Sequence, residues 1–189
     1  MIDPAELIYE RVLVVRAQAG DDAAFAELVE RYSPRLRYFL RKILGEERHR
    51  GRSQQGDGAE DALQDVWLDV FRHLPRLVDP QALKAWLYRI ARDRAFGRLR
   101  KAKRFEQTLD EANTIDPTVA DENDFSAEDA ARIHVALDEL PPEQREVLVL
   151  RFLEEMSYEE IARVAGCQLG TVRSRIYYGK RALKRALER

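Results

Sequence analysis

Residues Ser157 to Arg185 read SYEEIARVAGCQLGTVRSRIYYGKRALKR. The stretch predicts two short helices joined by a tight turn, the second of them basic. That is the layout of a helix-turn-helix, whose second helix enters the DNA major groove. Ser157 with Glu160 three residues on forms a capping box, so the first helix starts there. Ile161, Ala162 and Ala165 line one face of it. Gly166 follows, where a left-handed residue ends a helix. Cys167, Gln168 and Leu169 make the turn, and Thr171 is a candidate cap for the second helix. In that helix Val172, Ile176 and Leu183 share one stripe, with Gly179 between them. Ser174, Tyr177 and Arg181 lie opposite, flanked by Arg173 and Tyr178. Such a face suits base edges and phosphates together. The alternative is a solvated basic helix on an all-α bundle.

Outward from this motif nearly every periodic segment has helical spacing. Helices are expected at about 5–18, 21–44, 59–74, 80–103, 128–139, 142–155, 157–165 and 170–187. Asp21 or Asp22 caps the second. Phe25, Leu28, Val29, Tyr32, Leu36, Phe39, Leu40 and Ile43 recur along it at three- and four-residue steps. Pro34 inside the run predicts a kink or a break. Gly45 to Gly58 is a polar, glycine-rich loop, and Pro75 and Pro80 bracket a short turn. Pro141-Pro142 opens a new helix.

Charge is segregated along the chain. The net charge of −2 over 189 residues is unlike that of a nucleic-acid binder. Yet Lys84 to Arg104 holds nine basic residues and one acid, and Arg163 to Arg189 eight basic residues and one acid. Between them Glu106 to Ala130 holds nine acids and no Lys or Arg. This middle stretch has few large apolar residues and no sustained period, so it reads as a flexible linker. The expected fold is therefore all-α: two small helical domains, 1–104 and 129–189, joined by an acidic linker at 105–128, the C-terminal domain a helix-turn-helix.

Two further helices carry candidate function. Residues 59–74, AEDALQDVWLDVFRHL, bury Ala62, Leu63, Val66, Val70 and Leu74. Asp61, Gln64, Asp65 and Asp69 lie mostly off that stripe, with Trp67 and Phe71 nearby. This mixture fits a protein–protein interface, or equally a bundle helix whose acids face water. Residues 80–103, PQALKAWLYRIARDRAFGRLRKAK, place Leu83, Trp86, Leu87 and Ile90 on a buried stripe. Lys84, Arg89, Arg92, Arg100 and Lys103 project from the other side, with Tyr88 and Phe96 among them. Cations interleaved with rings suit single-stranded or melted DNA. The alternative makes Tyr88 and Phe96 core-edge residues.

No catalytic constellation is visible, so the chain does not read as an enzyme. His49, His73 and His134 are scattered, and one cysteine, Cys167, anchors no structural zinc site and no internal disulfide. No cofactor or metal is expected. Cys167 reads as a packing residue of the turn. Without a signal peptide or a long apolar run, the expected location is cytoplasmic.

Together AFAELVERYSPRLRYFLRKIL, AEDALQDVWLDVFRHL, KAWLYRIARDRAFGRLRK and LPPEQREVLVLRFLEEMSYEEIARVAGCQLGTVRSRI resemble the extracytoplasmic-function (group 4) sigma factors of the sigma-70 family. The likeness covers roughly residues 24–104 and 135–185. It implies a protein, monomeric when unbound, that binds core RNA polymerase, directs it to promoters and helps to melt them. It assigns Asp61, Gln64, Asp65 and Trp67 to polymerase docking. Lys84, Tyr88, Arg89, Arg92, Phe96 and Arg100, with the Pro75–Pro80 loop, are assigned to the −10 element, where a base is flipped and captured. Thr171, Arg173, Ser174, Tyr177, Tyr178 and Arg181 are assigned to the −35 element. It also implies an anti-sigma partner and a linker threading toward the RNA path of the polymerase. A solvated spacer serves the linker's composition equally. Three features depart from the family: Asp93 replaces a usual Asn, Tyr177-Tyr178-Gly179-Lys180 replaces a usual His-Arg-Ala-Arg, and the 45–58 loop is long and basic. They leave two alternatives: a sigma-like module that sequesters an anti-sigma factor, or a simple helix-turn-helix repressor.

Overall fold

The computed structural model describes residues 4–45, 58–106 and 130–188. The 45–58 loop, beyond its two ends, and nearly all of the acidic linker lie outside the described residues. Among the described residues every regular element is helical. Four long helices come first: α1 (Pro4–Gln18), α2 (Asp22–Leu44), α3 (Gly58–His73) and α4 (Leu83–Glu106). Short 3-10 turns at Leu74–Arg76 and Pro80–Ala82 bridge α3 and α4. Three short helices, α5 (Ala130–Asp138), α6 (Pro142–Leu148) and α7 (Tyr158–Ala165), and a longer one, α8 (Leu169–Leu187), follow. A π-helical turn, Val149–Leu153, continues α6.

Local chemistry sets most boundaries. Asp21 accepts from the Ala23 and Ala24 amides and starts α2, while Gly45 ends it with φ 73°. The chain then needs no break at Pro34: α2 runs through it as one helix. The helix continues unbroken with Leu28, Tyr32, Leu36, Phe39, Leu40 and Ile43 buried on both sides of the proline. At the other end of the bundle, the Gln18 amide donates to the Leu74 and Leu77 carbonyls at 3.0 and 2.7 Å. That pins the turn between α3 and α4.

In α4 the buried stripe is Leu83, Leu87, Tyr88, Ala91 and Ala95, not Leu83, Trp86, Leu87 and Ile90. The helix is rotated relative to the sequence expectation, with two alanines, Ala91 and Ala95, in its buried stripe. Tyr88 is fully buried and meets Phe39 edge-on at 5.2 Å. Trp86 and Ile90 are instead half-buried.

The helix-turn-helix forms from the predicted parts. Ser157 and Glu160 cap α7 reciprocally, and Gly166 ends it in the left-handed region with φ 61°. Thr171 does not cap α8. The helix begins two residues earlier, with Gln168 at the cap position and no side chain bonded there. Val172, Ile176 and Leu183 are buried as expected, and Gly179 is too. A Cβ at Gly179 would lie 3.1 Å from Leu148 Cδ1, so a glycine there lets α6 and α8 pack closely.

The α1–α4 and α5–α8 halves pack on each other, α6 against α2 and α7 against α4. This interface holds most of the buried charge among the described residues. Lys42 and Asp138 pair at 2.8 Å, both nearly excluded from solvent. The Lys42 ammonium also donates to the His134 carbonyl at 3.0 Å. Arg145 donates to the carbonyls of Lys42, Asp138 and Leu140. Such pairs need nearly all their hydrogen bonds made to repay desolvation, and here most are.

Candidate polymerase and nucleic-acid interfaces

Two stripes of α3 differ in what they are left to do. Asp65 and Asp69 face α4: Arg98 reaches Asp65 at 2.9 Å, and the Arg94 guanidinium takes Asp69 through two N–H groups, Nε at 2.6 Å. Trp67 turns toward α2, its indole N–H donating to Ser33 Oγ at 3.0 Å and its ring edge-on to Phe25. So two of the four proposed docking residues hold the bundle together. The outward stripe is Asp61, Gln64, Leu68 and Phe71, spaced three, four and three residues apart. Leu68 and Phe71 stand out, at 54% and 61% exposure. Leu68 was missed in the sequence because an isolated leucine beside a buried stripe reads as its margin.

The −10 candidates divide as well. Tyr88 is core, and Phe96 is nearly buried with the Arg92 guanidinium stacked 4.6 Å from its ring centre. Neither ring is presented to a base, and the core-edge reading holds for both. The cations nearest the start of α4 are engaged across the interface. Lys84 reaches the Glu154 carbonyl, Arg89 donates to the Arg163 carbonyl at 3.0 Å, and Arg92 donates to Glu146 at 2.7 Å. Arg100 and Lys103 are exposed. Asp93, the departure from the usual Asn, is exposed and sits 3.5 Å from Arg92.

A cleft of about 620 Å³ opens between α3, the turns and α4. Leu77, Val78, Trp86 and Ile90 supply its apolar walls, and Asp69, His73, Arg76 and Arg94 its polar rim. Of these, the sequence pointed only to the Pro75–Pro80 turn, because Trp86 and Ile90 were assigned to the core.

On α8, Arg173, Ser174 and Tyr177 are exposed, while Thr171, Tyr178 and Arg181 are half-buried. The Ser174 hydroxyl donates to the Thr171 carbonyl at 3.0 Å. Tyr177 meets Tyr178 edge-on at 5.3 Å, and the Arg181 guanidinium stacks 5.9 Å from the Tyr177 ring. The structure thus brings all six onto or beside one face, with Arg173 the most available long donor.

Glu146 is fully buried where the two halves meet. Burial pushes its carboxyl up to about 7, against the opposing pull of Arg92 and Arg175. The folded protein therefore holds a proton there that the unfolded chain releases above the ordinary glutamate range. That stability is complete at acid pH below the ordinary range and is lost as pH rises through about 7. Thermal melts between pH 5 and 8 should show stability falling by on the order of 2–3 kcal/mol from this site. Glu146→Gln should flatten that slope and raise the melting temperature at pH 8. An unchanged slope would assign it elsewhere.

Comparison with known proteins bears on both halves. Residues 28–105 match the family described as Sigma-70 region 2, and residues 124–185 that described as Sigma-70, region 4. The chain is 30% identical to the RNA polymerase sigma-H factor of Pseudomonas aeruginosa over 95% of its length and 94% of the relative's. It is 31% identical to the ECF RNA polymerase sigma-E factor of Escherichia coli K12 with the same coverage. Among solved structures it resembles the sigma factor RpoE in complex with the anti-sigma factor NepR from Bartonella quintana. The TM-score is 0.65 and the identity 27%, over 87% of this chain and 96% of that one. It also resembles CnrH in complex with the cytosolic domain of CnrY, with TM-score 0.63 and identity 26%, over 95% and 97%. The two matches lie one on each half of the chain, and the chain is a member of the extracytoplasmic-function sigma factors of the sigma-70 family.

Proposed function

We propose that three surfaces divide the work of promoter-directed initiation. The outward α3 stripe of Asp61, Gln64, Leu68 and Phe71 docks on core polymerase. The cleft at Trp86 and the cations of α4 hold the melted −10 strand. The exposed face of α8 reads the −35 element as duplex. In this reading residues 1–104 and 129–189 work as separate domains and 105–128 as the span between them. The protein acts in the cytoplasm, without catalytic chemistry of its own, and its activity is held by an anti-sigma factor.

The observation that carries the reading is the cleft beside the α3–α4 turns. It combines an apolar wall with a polar rim that includes Arg76, which is what an unstacked base with its phosphate needs. Stacking on one ring contributes about 1–3 kcal/mol per base. Trp86 is only half-exposed, so Trp86→Ala should weaken binding of −10 single strand by the lower part of that range, roughly 5- to 30-fold. Binding of −35 duplex should be unchanged. Permanganate reactivity of −10 thymines in the reconstituted holoenzyme is the direct test. Reactive thymines that depend on Trp86 support the assignment, and opening that is indifferent to Trp86 removes it.

A further inference from the structure

Two hydrogen-bond acceptors on α3 face the cleft beside Trp86, and the bundle leaves both of them spare. Asp69 and His73 stand one turn apart, so their side chains leave the helix on the same face. Both line the cleft, together with Trp86 and Ile90 of α4. The Arg94 guanidinium donates to Asp69 through Nε–H and Nη2–H, and both go to one oxygen, Oδ2. Among the described residues the other oxygen, Oδ1, accepts from no group. Arg94 thus fixes the orientation of the carboxylate without using it up. His73 Nδ1 lies 2.7 Å from the Asp69 carbonyl oxygen. A carbonyl only accepts, so Nδ1 carries the proton, and in the neutral ring Nε2 is left as an acceptor.

We infer that Asp69 and His73 make the cleft select an unstacked base that carries an exocyclic amino group, and reject thymine. The inference rests on the assignment of the cleft to the melted −10 strand made above. Cytosine, adenine and guanine each carry an amino group on the edge that pairing uses. Thymine carries carbonyl oxygens there, with one N–H between them. An amino group has two hydrogens for two acceptors, and the bond to the carboxylate is charge-assisted, the stronger kind. Thymine instead turns O4 toward Asp69 Oδ1, with no proton between them, and both oxygens go unpaired inside the cleft. Stacking on Trp86 makes no such distinction, because every base has a π-face. The apolar wall therefore supplies affinity and the acceptor pair supplies the choice. Arg76, exposed on the same rim, is a cation for the adjoining phosphate.

Holoenzyme assembled from core polymerase and the full-length chain is titrated with short single strands. In each strand one base, flanked by abasic sugars, is cytosine, adenine, guanine or thymine. Three more strands carry the amine-free counterparts: 2-pyrimidinone for cytosine, purine for adenine and hypoxanthine for guanine. The tightest of the three amino bases, which names the base the cleft takes, should bind about tenfold better than thymine. Its amine-free counterpart should lose about the same factor. In Asp69→Asn, Arg94 holds the amide oxygen, so the amide N–H2 stands where Oδ1 stood and meets thymine O4. The thymine deficit should then shrink to about twofold or less. Thymine binding as tightly as the amino bases overturns the inference, and so does an amine-free base that matches its parent. Both readings come from the wild-type chain, whether or not the variant folds. A folded Asp69→Asn that keeps the full thymine deficit overturns it too. Trp86→Ala separates this choice from the assignment beneath it. Binding indifferent to Trp86→Ala with every base removes the cleft from the −10 strand and the inference with it. Binding that weakens with every base, while the amino group counts for nothing, leaves the cleft in place and removes only the choice.

Discussion

Leu68→Ala with Phe71→Ala lowers affinity for core polymerase by about 2–4 kcal/mol, roughly 30- to 1000-fold, the range of a central apolar anchor in an interface. Both side chains are more than half exposed, although the helix buries a full stripe elsewhere. Phe71 is held in place by an edge-on contact with Phe25 at 5.4 Å, so it presents a preorganised ring. The folded monomer loses less than a core truncation would cost, because more than half of each residue is exposed. Asp65→Ala behaves differently. Asp65 answers Arg98 across the bundle, and both are partly exposed, so its removal weakens docking only through a modest loosening of α3 against α4. Titration of labelled core polymerase with each variant separates the two. Equal losses from both changes would return Asp65 to the docking surface.

Arg173→Ala should cost about 1–3 kcal/mol on a matching −35 duplex if its guanidinium takes a base edge. The loss should shrink on duplexes altered at the contacted base pair. An equal loss on every sequence, with a shallower salt dependence, would mark a phosphate contact instead. Arg173 is the sharper probe because the neighbouring polar groups have partners within the helix face. Ser174 bonds to the Thr171 carbonyl, and Arg181 stacks on Tyr177. Tyr177 and Tyr178 support each other edge-on and make this face more aromatic than the His-Arg pair usual among its relatives.

What was legible in the sequence is what short-range chemistry decides. The Ser157–Glu160 capping box, the left-handed Gly166 and the Val172, Ile176, Leu183 stripe all form as read. Each depends on residues within about three turns of one another. The rotation of α4 was not legible, because a stripe drawn through large apolar residues overlooks Ala91 and Ala95. Those alanines are fully buried, and Trp86, for all its apolar area, lines a cleft. Thr171 looked like a cap, but α8 starts earlier without one. The interface between the halves was invisible for a different reason. Lys42 meets Asp138 and Arg92 meets Glu146 across separations of 96 and 54 residues, and no periodicity marks which lysine or glutamate will be buried. The same holds for Asp65 and Asp69, whose arginine partners sit on the next helix.

The most direct measurement is transcription in vitro by purified core polymerase, with and without the full-length protein, across genomic promoter templates. Membership of this family, with an intact α8 face and the Trp86 cleft, predicts protein-dependent initiation from a distinct promoter class, lost on Leu68→Ala Phe71→Ala. No stimulation on any genomic template, from a protein that still binds core polymerase, would contradict it.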